Sequence, residues 1–575
     1  MSFRLEPSKD FKKPPGPVCL IVMDGVGIGN EEQYNAWYCA RTPFLDALRS
    51  GKTPKGSVVL NAVVDASGRS VGLPEDSDMG NSEVGHNAFG AGRIYSQGAK
   101  LVNESMDSKA FKTGETWKWL LENCKDGKDG TLHLLGLWSD GNVHSHIKHA
   151  YALLDAAIEE GCKHIRFHIL LDGRDVSETS ALLYVEPLEK HLASLRDKGI
   201  DAQIASGGGR MVTTMDRYEA DWRIVQRGWL AHVLADTESI RTFSSASDAI
   251  QTFRKEENGV IDQFLPPFII VDDKRNPVGK MKDGDSVILF NFRGDRAIEI
   301  STCFDAPEGT FRHFDRGCMP KVRFAGMMQY DGESKIPKHY IVSPPHIERT
   351  LGEYLVHNGC RRLSISETQK FGHVTYFFNG NRANKFDEEL ELYVEVPSSR
   401  ERENTRPWMK AAEITDSALA AIDEFKPDFV VLNYANGDMV GHTGDYNAAV
   451  IAMEAVDVSL SRLVNGIVER EGIAIVSADH GNCETMAEID KKTGKPVKGN
   501  SPQGWKALTS HTTTPVPVMI TGYGIDKYEI DETVTWGDEN RKKAGIVNVT
   551  ATCINLLGFE KPKEWLPGLL KAKSV

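Results

Sequence analysis

The 575-residue chain has no C-x-x-C spacing anywhere, and its nine cysteines, an odd number, are scattered from Cys19 to Cys553. That argues against a thiolate zinc ribbon and a fully paired disulfide scaffold, and leaves reduced thiols, some beside apolar stretches such as those of Cys19 and Cys162. No apolar run is long enough to span a membrane, and the opening MSFRLEPSKDFKKPPGP lacks the apolar core of a signal peptide. The expectation is a soluble, cytoplasmic protein. Short repeats and low-complexity tracts are absent as well. Positive charge is in deficit, 68 Lys and Arg against 81 Asp and Glu, a net charge of −13. This excludes a surface built mainly for nucleic acid or anionic membrane and leaves recognition to local pockets.

What is present is globular. Hydrophobic residues make up 40% and charged residues 26%, near the soluble average, and the length exceeds what one ordinary core supports, so two or more domains are expected. Strand-sized apolar runs recur as VCLIVM, TLHLLGLW, IRFHILL, SVILFNF, FVVLNY, IAIVSA and VPVMIT. Helical stretches separate them, including HAYALLDAAIEE and SALAAIDEF from Ser417 to Phe425. The alternation predicts an α/β fold, and the unbroken apolar character predicts central strands covered on both faces.

Chemistry concentrates at the ends of those runs. VCLIVMDG ends in Asp24, MGNSEVGHNAFGAGR carries Ser82, NYANGDMVGH carries Asp438 and His442, IAIVSADHGN carries Asp479 and His480, and HTTTPVPV follows His511. Carboxylate and imidazole ligands suit Mn²⁺, Co²⁺ or Zn²⁺ and, less well, Mg²⁺, and two ions fit the set better than one. Asp438 and His442 are four apart, so one helical turn can aim both at a single ion. Asp479 and His480 are adjacent and need a turn directly after their strand, which Gly481 permits. Three aspartates against two dications leave a charge of about +1, which suits an oxyanion such as phosphate. A serine hydroxyl beside such ions becomes a nucleophile, and a helix starting at Ser82 adds an anion site at its amide end. Taken alone, Ser82 also reads as an ordinary helix cap. The ligands fall in residues 24–82 and 438–511, so the region between them is expected to be a domain inserted through linkers near Ser96–Ala99 and Ser343–Pro345.

That middle region places His144 after one apolar run, Arg174 and Asp175 in DGRD, Arg210 and Arg217 in GGGRMVTTMDR, and Arg293 and Arg296 in FNFRGDRA. The spacing of three predicts Arg293 and Arg296 on one helix face if a helix begins there. Guanidinium forks match phosphate and carboxylate oxygens. The plain alternative is that these arginines and aspartates pair with one another and tie turns together. His144 and His146 in H-S-H lack a neighbouring carboxylate pattern, which favours acid-base or hydrogen-bonding work over metal binding.

The strings MDG, GNSEVGH, SDG-x-VHSH, DGRD, MDR, FR-x-DRA, SET-x-K, HVTYFFNG, NYAN-x-DMVGHT and SADHGN stand in the order found in the cofactor-independent phosphoglycerate mutases of the alkaline phosphatase superfamily, which this chain resembles over nearly its whole length. The resemblance implies an alkaline-phosphatase-like, doubly wound sheet domain over residues 1–96 and 346–575, with a second α/β domain, 97–345, inserted through two hinge linkers. It implies interconversion of 3-phosphoglycerate and 2-phosphoglycerate through a phosphoserine at Ser82, without 2,3-bisphosphoglycerate. Asp438, His442 and His511 are expected to hold one metal and Asp24, Ser82, Asp479 and His480 the other, manganese first among the candidate ions. His144, Arg174, Asp175, Arg210, Arg217, Arg293 and Arg296 are expected on the glycerate, Lys370 on the transferring phosphoryl group, and Asp175, supported by His144, on the hydroxyl proton. A monomer with small-molecule partners and no nucleic acid or membrane partner completes the expectation. Departures from the pattern are the longer spacing before MDR, Gly in RGD and NGD, Gln369 in SETQK, and an insertion, KKTGKPVKGNSPQGWKALTS, ahead of His511. Rival readings are a phosphomonoesterase or sulfatase of the same superfamily, a phosphopentose mutase, and an inactive binding protein; the arginine turns and the complete ligand set stand against them.

Overall fold

The runs VCLIVM and FVVLNY are apolar at nearly every position, and in a computed structural model of the chain both are strands buried along their whole length, Val18–Met23 and Phe429–Tyr434. The structure describes residues 3–73, 75–125, 127–216, 221–257, 259–294, 296–307, 309–331, 335–343, 345, 347–382, 384–490, 493–499, 501–537 and 543–573. The chain divides into two compact units, Met1–Gln97 with Pro345–Val575, and Gly98–Pro344.

The first unit is built on a seven-stranded sheet ordered Glu391–Val396, Arg362–Glu367, Phe429–Tyr434, Val18–Met23, Ile473–Ser477, Val516–Gly522 and Val59–Val64. The first five run parallel, and Val516–Gly522 runs antiparallel to both of its neighbours. Parallel strands buried on both faces read as continuous apolar runs. The edge strand Val59–Val64 is apolar at five of its six positions, but its burial alternates and Val63 is exposed. Helices Ser82–Ala91, Ala411–Phe425, Tyr446–Glu469 and Val547–Leu556 bury apolar faces in the core around this sheet. The helix expected from Ser417 begins earlier, at Ala411, because Ala411 and Ile414 extend the buried stripe of Ala418 and Ile422 by two turns.

The second unit carries its own seven-stranded sheet, ordered Arg241–Phe243, Phe268–Ile270, Asp201–Gly209, His164–Leu171, Leu132–Leu137, Ser286–Leu289 and Arg323–Gly326, and its own apolar core. Pairing is parallel except between Asp201–Gly209 and Phe268–Ile270. The helix expected to display Arg293 and Arg296 starts only at Ile298. Phe290 N–H donates to Leu135 O and Phe292 N–H to His144 O, which holds the preceding segment out of helical conformation. No helix among the described residues is long and apolar enough to cross a membrane.

One charge pair is sealed inside the first unit. Arg362 and Glu391 open neighbouring strands in register, and the guanidinium lies 2.9 Å from the carboxylate with both side chains fully buried. Arg362 also donates to Asn379 Oδ1 at 2.6 Å and to Ser364 Oγ at 3.1 Å, and Glu391 accepts from Asp387 N–H and Tyr393 Oη at 3.1 Å. Removing one partner leaves the other charge buried, which costs far more than the intact pair contributes. Arg362→Met is expected to lower the stability of the first unit by about 3–5 kcal/mol in urea unfolding, and the double variant Arg362→Met, Glu391→Leu to recover most of it. A loss below about 1 kcal/mol in the single variant would contradict this account.

Candidate active site

Every candidate ligand of the first unit leaves the carboxyl end of a sheet strand or lies beside one, where open α/β sheets gather ligands. Asp24 directly follows Val18–Met23, Asp438 lies on the short helix Asn436–Gly441 after Phe429–Tyr434, and Asp479 and His480 follow Ile473–Ser477. Lys370 stands on Thr368–Gly372, directly after Arg362–Glu367, in a helix that passes into a π-helical turn at His373–Phe377. Two close approaches let these loops converge. Gly25, at φ +72°, lies so near Asp438 that a Cβ would come within 2.6 Å of its Cα, and a Cβ on Gly85 would come within 2.8 Å of Asp479 O.

Ser82 is the first residue of the helix Ser82–Ala91, as expected, and the cap is its neighbour: Asn81 Oδ1 accepts Val84 N–H at 2.9 Å. The Ser82 hydroxyl is therefore not spent on capping. Its Oγ lies 3.0 Å from Asp24 Oδ1, 3.0 Å from His480 Nε2 and 2.5 Å from Lys370 Nζ. The ammonium of Lys370 also reaches Asp24 Oδ1 at 3.0 Å and Asp438 Oδ2 at 2.8 Å.

The second cluster is Asp438, His442 and His511. His442 Nε2 and His511 Nε2 are 3.0 Å apart, and each is 3.1 Å from Asp438 Oδ1. Their other nitrogens are committed: His442 Nδ1 donates to Thr509 O at 2.7 Å and His511 Nδ1 to Gly80 O at 2.8 Å. A neutral imidazole with its proton on Nδ1 presents a bare lone pair at Nε2. Two Nε2 atoms and one carboxylate oxygen thus converge within 3.1 Å of one another, a donor set of the kind a divalent cation takes up. In the first cluster the ligand atoms of Asp24, Asp479 and His480 lie within 4.8 Å of one another, and Asp479 Oδ2 is buried with no hydrogen-bond partner. Both donor sets fit hard or borderline dications.

Charge decides the protonation states. Burial opposes ionisation of Asp24, yet Lys370 and His480 hold it well below the usual carboxylate range. Asp438 is likewise held down, against its burial, chiefly by His442, Lys370 and His511. Burial disfavours charge on Lys370 and His480 too, but the aspartates around them win. Lys370 is raised and His480 is pushed up to about 10, so both are cationic in the metal-free protein. His511 goes the other way, lowered to about 4 by burial and by the neighbouring His480.

Side chains that sequence reasoning passed over hold these groups in place. Asn433 Nδ2 donates to Asp24 Oδ2 at 2.6 Å, Asn482 Nδ2 to Asp438 Oδ1 at 2.9 Å, and His86, one helical turn beyond Ser82, bonds Ser82 O at 2.8 Å and stands 3.3 Å from Asp479 Oδ2. All three lie in quoted strings, FVVLNY, SADHGN and GNSEVGH; a polar residue at the end of an apolar strand was the available signal for Asn433. The insertion before His511 forms bridges at Ala487–Ala507, Ile489–Pro496 and Lys498–Trp505, and leads into Thr509, whose carbonyl orients His442.

In the second unit Asp172, also passed over, is the hub. Its Oδ1 accepts from Arg174 N–H at 3.2 Å, Asp175 N–H at 3.0 Å and Arg210 Nη1 at 2.9 Å, and its Oδ2 accepts from Ser139 Oγ at 2.6 Å. Arg210 is fully buried and also donates to Asp175 Oδ2, so the turn-tying alternative describes it as the structure stands. Arg174 is exposed. Arg296 Nη1 donates to Met215 O at 2.7 Å, and the His144 carbonyl receives Phe292 N–H at 2.8 Å, drawing the loops after three strands together. His146 caps the helix Ile147–Glu159 through Nδ1, which accepts Lys148 N–H at 3.1 Å. Arg217 lies outside the described residues.

Comparison with known proteins bears on this geometry. A family profile described as Metalloenzyme superfamily matches residues 16–561. The chain is 48% identical over 558 residues to the 2,3-bisphosphoglycerate-independent phosphoglycerate mutase of Trypanosoma brucei brucei, covering 97% of this chain and 98% of that protein. It is 47% identical over 568 residues to the enzyme of the same name from Mesembryanthemum crystallinum, covering 98% and 97%. Among solved structures, Leishmania mexicana phosphoglycerate mutase at low cobalt concentration aligns over 99% of this chain and 100% of that one, at 48% identity and a TM-score of 0.74.

The raised His480 yields a prediction. Its folded-state pKa of about 10 lies above the ordinary histidine value, so in the metal-free protein this group contributes stability in full below pH about 6.5 and loses it as pH climbs toward 10. A bound cation needs the neutral ring and displaces that proton. Titration calorimetry of the metal-free protein with Mn²⁺ near pH 8, in buffers of different ionisation enthalpy, is expected to show about one proton released, with affinity rising about tenfold per pH unit. Release of no proton, with affinity flat in pH, would contradict it.

Proposed function

The chain belongs to the 2,3-bisphosphoglycerate-independent phosphoglycerate mutases, within the Metalloenzyme superfamily, and from that premise we propose which of its residues carry the reaction. The activity is interconversion of 3-phosphoglycerate and 2-phosphoglycerate, an isomerisation in glycolysis and gluconeogenesis that uses no bisphosphoglycerate primer. The observation that carries the assignment is Ser82, its hydroxyl undistracted by capping, between an ammonium at 2.5 Å and two clusters of carboxylate and imidazole acceptors.

Asp438, His442 and His511 would hold one divalent ion, and Asp24, Ser82, Asp479 and His480 the other. Bound there, the ions lower the pKa of the serine hydroxyl and neutralise charge on the phosphoryl oxygens. The chain's own part follows from its geometry. Ser82 Oγ, having given up its proton to solvent, attacks phosphorus; the bond to Oγ forms as the bond from phosphorus to the glycerate oxygen breaks, and that oxygen takes up a proton by way of Asp175. Lys370 stabilises the negative charge at Oγ while it develops and remains beside the phosphoserine. The freed glycerate accepts the phosphoryl group back on its other hydroxyl.

The second unit serves the glycerate. Arg174 and Arg293, with Arg217, are the guanidinium groups for its carboxylate, and Arg296 belongs to the same edge of the sheet. Asp175 exchanges the hydroxyl proton, with His144 in support, and buried Arg210 orients Asp175. Manganese as the working ion, a monomeric state and a cytoplasmic setting complete the reading; the oxygen and nitrogen donor sets support the first.

Ser82→Ala is expected to lower mutase turnover by roughly 10⁴-fold or more while leaving the unfolding transition unchanged. Mass spectrometry of the parent protein quenched during turnover is expected to find phosphate on Ser82. Substantial turnover in the variant, or phosphate on another residue, would overturn the assignment. EDTA treatment is expected to abolish turnover and Mn²⁺ to restore it.

A further inference from the structure

Beneath the glycerate-handling edge of the second unit, six buried side chains form one continuous line of hydrogen bonds. Asp285, at the amino end of Ser286–Leu289, lies 3.2 Å from His133 Nε2, and His133 Nδ1 lies 2.9 Å from His168 Nε2. His168 Nδ1 meets Ser206 Oγ at 2.7 Å, Ser206 Oγ meets His232 Nδ1 at 2.7 Å, and His232 Nε2 meets Thr214 Oγ1 at 2.9 Å. The line starts at the amino edge of the sheet, crosses Leu132–Leu137, His164–Leu171 and Asp201–Gly209 diagonally, passes through the π-helical turn Trp229–Leu234, and ends in the turn that follows Arg210.

Its polarity is fixed from one end. Asp285 as a carboxylate only accepts, so His133 Nε2 carries hydrogen and, in a neutral ring, Nδ1 accepts. His168 then donates through Nε2 and accepts at Nδ1 from the serine hydroxyl. That hydroxyl has one hydrogen, so His232 must donate to Ser206 through Nδ1 and accept at Nε2 from Thr214. Each group gives one hydrogen bond to the next and none is left over. Burial pushes all three histidines below their ordinary range, His232 to about 3, consistent with neutral rings.

What the line ends on is unusual. Thr214 is β-branched yet sits at φ +69°, a conformation that costs about 1–3 kcal/mol and persists only where the surroundings over-determine it. The turn it shapes carries Arg210, whose guanidinium holds Asp172 and Asp175, and Met215, whose carbonyl receives Arg296. Thr214 N–H donates to Ile224 O at 2.9 Å, and Gly228 leaves its hydroxyl room, since a Cβ there would lie 1.9 Å from Thr214 Oγ1.

We infer that Asp285, His133, His168, Ser206, His232 and Thr214 form a positioning relay that locks the Arg210–Asp216 turn in the geometry required to bind the glycerate. The inference rests on the reading of the second unit as the glycerate-binding part. None of the six touches substrate in this account; they act through Arg210, Asp175 and Arg296.

The test compares steady-state kinetics of the metal-loaded full chain with 3-phosphoglycerate in four variants. Thr214→Val keeps the shape and removes the hydroxyl, Thr214→Ser keeps the hydroxyl, Ser206→Ala interrupts the line far from the turn, and Arg210→Lys probes the reading itself. Thr214→Val and Ser206→Ala are expected to raise KM on the order of tenfold and to lower kcat as well, because Asp175 shifts with Arg210, and Thr214→Ser to stay within about twofold of the parent in both constants. Arg210→Lys is expected to raise KM at least as far. If Arg210→Lys raises KM while Ser206→Ala and Thr214→Val do not, the relay inference fails and the reading survives. If Arg210→Lys leaves both constants unchanged, the reading of this edge fails first. A Thr214→Ser variant as impaired as Thr214→Val would also overturn the relay, and Ser206→Ala remains decisive if Thr214→Val does not fold.

Discussion

Three aspartates buried in one pocket set the terms for everything else in this protein. Asp24, Asp438 and Asp479 have almost no solvent to share their charge, and like charges at such separations are tolerated only if cations stand among them. In the chain alone those cations are Lys370 and a protonated His480. Two positive charges against three negative ones leave the pocket short, and on the side of Asp438 the Nε2 atoms of His442 and His511 converge on one carboxylate oxygen. A pocket with a lysine on one side and two imidazole nitrogens converging on a carboxylate oxygen on the other has the donor types that take up dications. Among relatives, a metal-dependent superfamily is what such a pocket should keep company with, and it does.

The lysine has a second consequence. Ser82 Oγ touches the same ammonium that neutralises Asp24 and Asp438, so the hydroxyl proposed as nucleophile sits where the carboxylates have concentrated positive charge. The backbone makes that position available. Gly25 and Gly85 let the loops after two strands and the first turn of the serine helix approach within distances that any side chain would obstruct, and Asn81 takes over the capping that Ser82 would otherwise perform. Convergence of distant segments is thus a matter of a few absent Cβ atoms as much as of the ligands themselves.

Much of this was legible in the sequence, and the boundary of legibility has a physical origin. Strands buried on both faces announce themselves as unbroken apolar runs, so their carboxyl ends, and with them Asp24, Asp438, Asp479 and His480, could be located. The edge strand Val59–Val64 went unread although VLNAVV is mostly apolar, and its half-exposed, edge position follows only from the fold. Groups that act by one hydrogen bond to a ligand, Asn433, Asn482 and His86, have no pattern of their own, because their partners are defined only by folding. The same holds for Asp172: DGRD suggested an arginine and an aspartate as working pair, whereas the preceding aspartate organises the turn. Arg293 and Arg296 illustrate the opposite error. A spacing of three implies a shared face only inside a helix, and backbone bonds from Phe290 to the strand residue Leu135 and from Phe292 to His144 in a loop keep that segment irregular until Ile298.

A serine between metal ligands does not by itself make a mutase, since the same centre would serve a hydrolase. The difference must lie in what keeps the dephosphorylated glycerate from being replaced by water, and that requires groups of fixed geometry aimed at a small anion. The second unit invests heavily in fixity. Its arginine at 210 is buried against two carboxylates instead of being extended toward solvent, its Thr214 is held in a strained conformation, and a line of neutral hydrogen-bonding groups runs beneath the turn that contains both. A loose cluster of surface guanidinium groups would bind phosphoglycerate and release glycerate with similar ease. On the reading proposed for the second unit, pre-organised donors would bind the small anion without an ordering cost at each turnover, which favours returning the phosphoryl group over losing it.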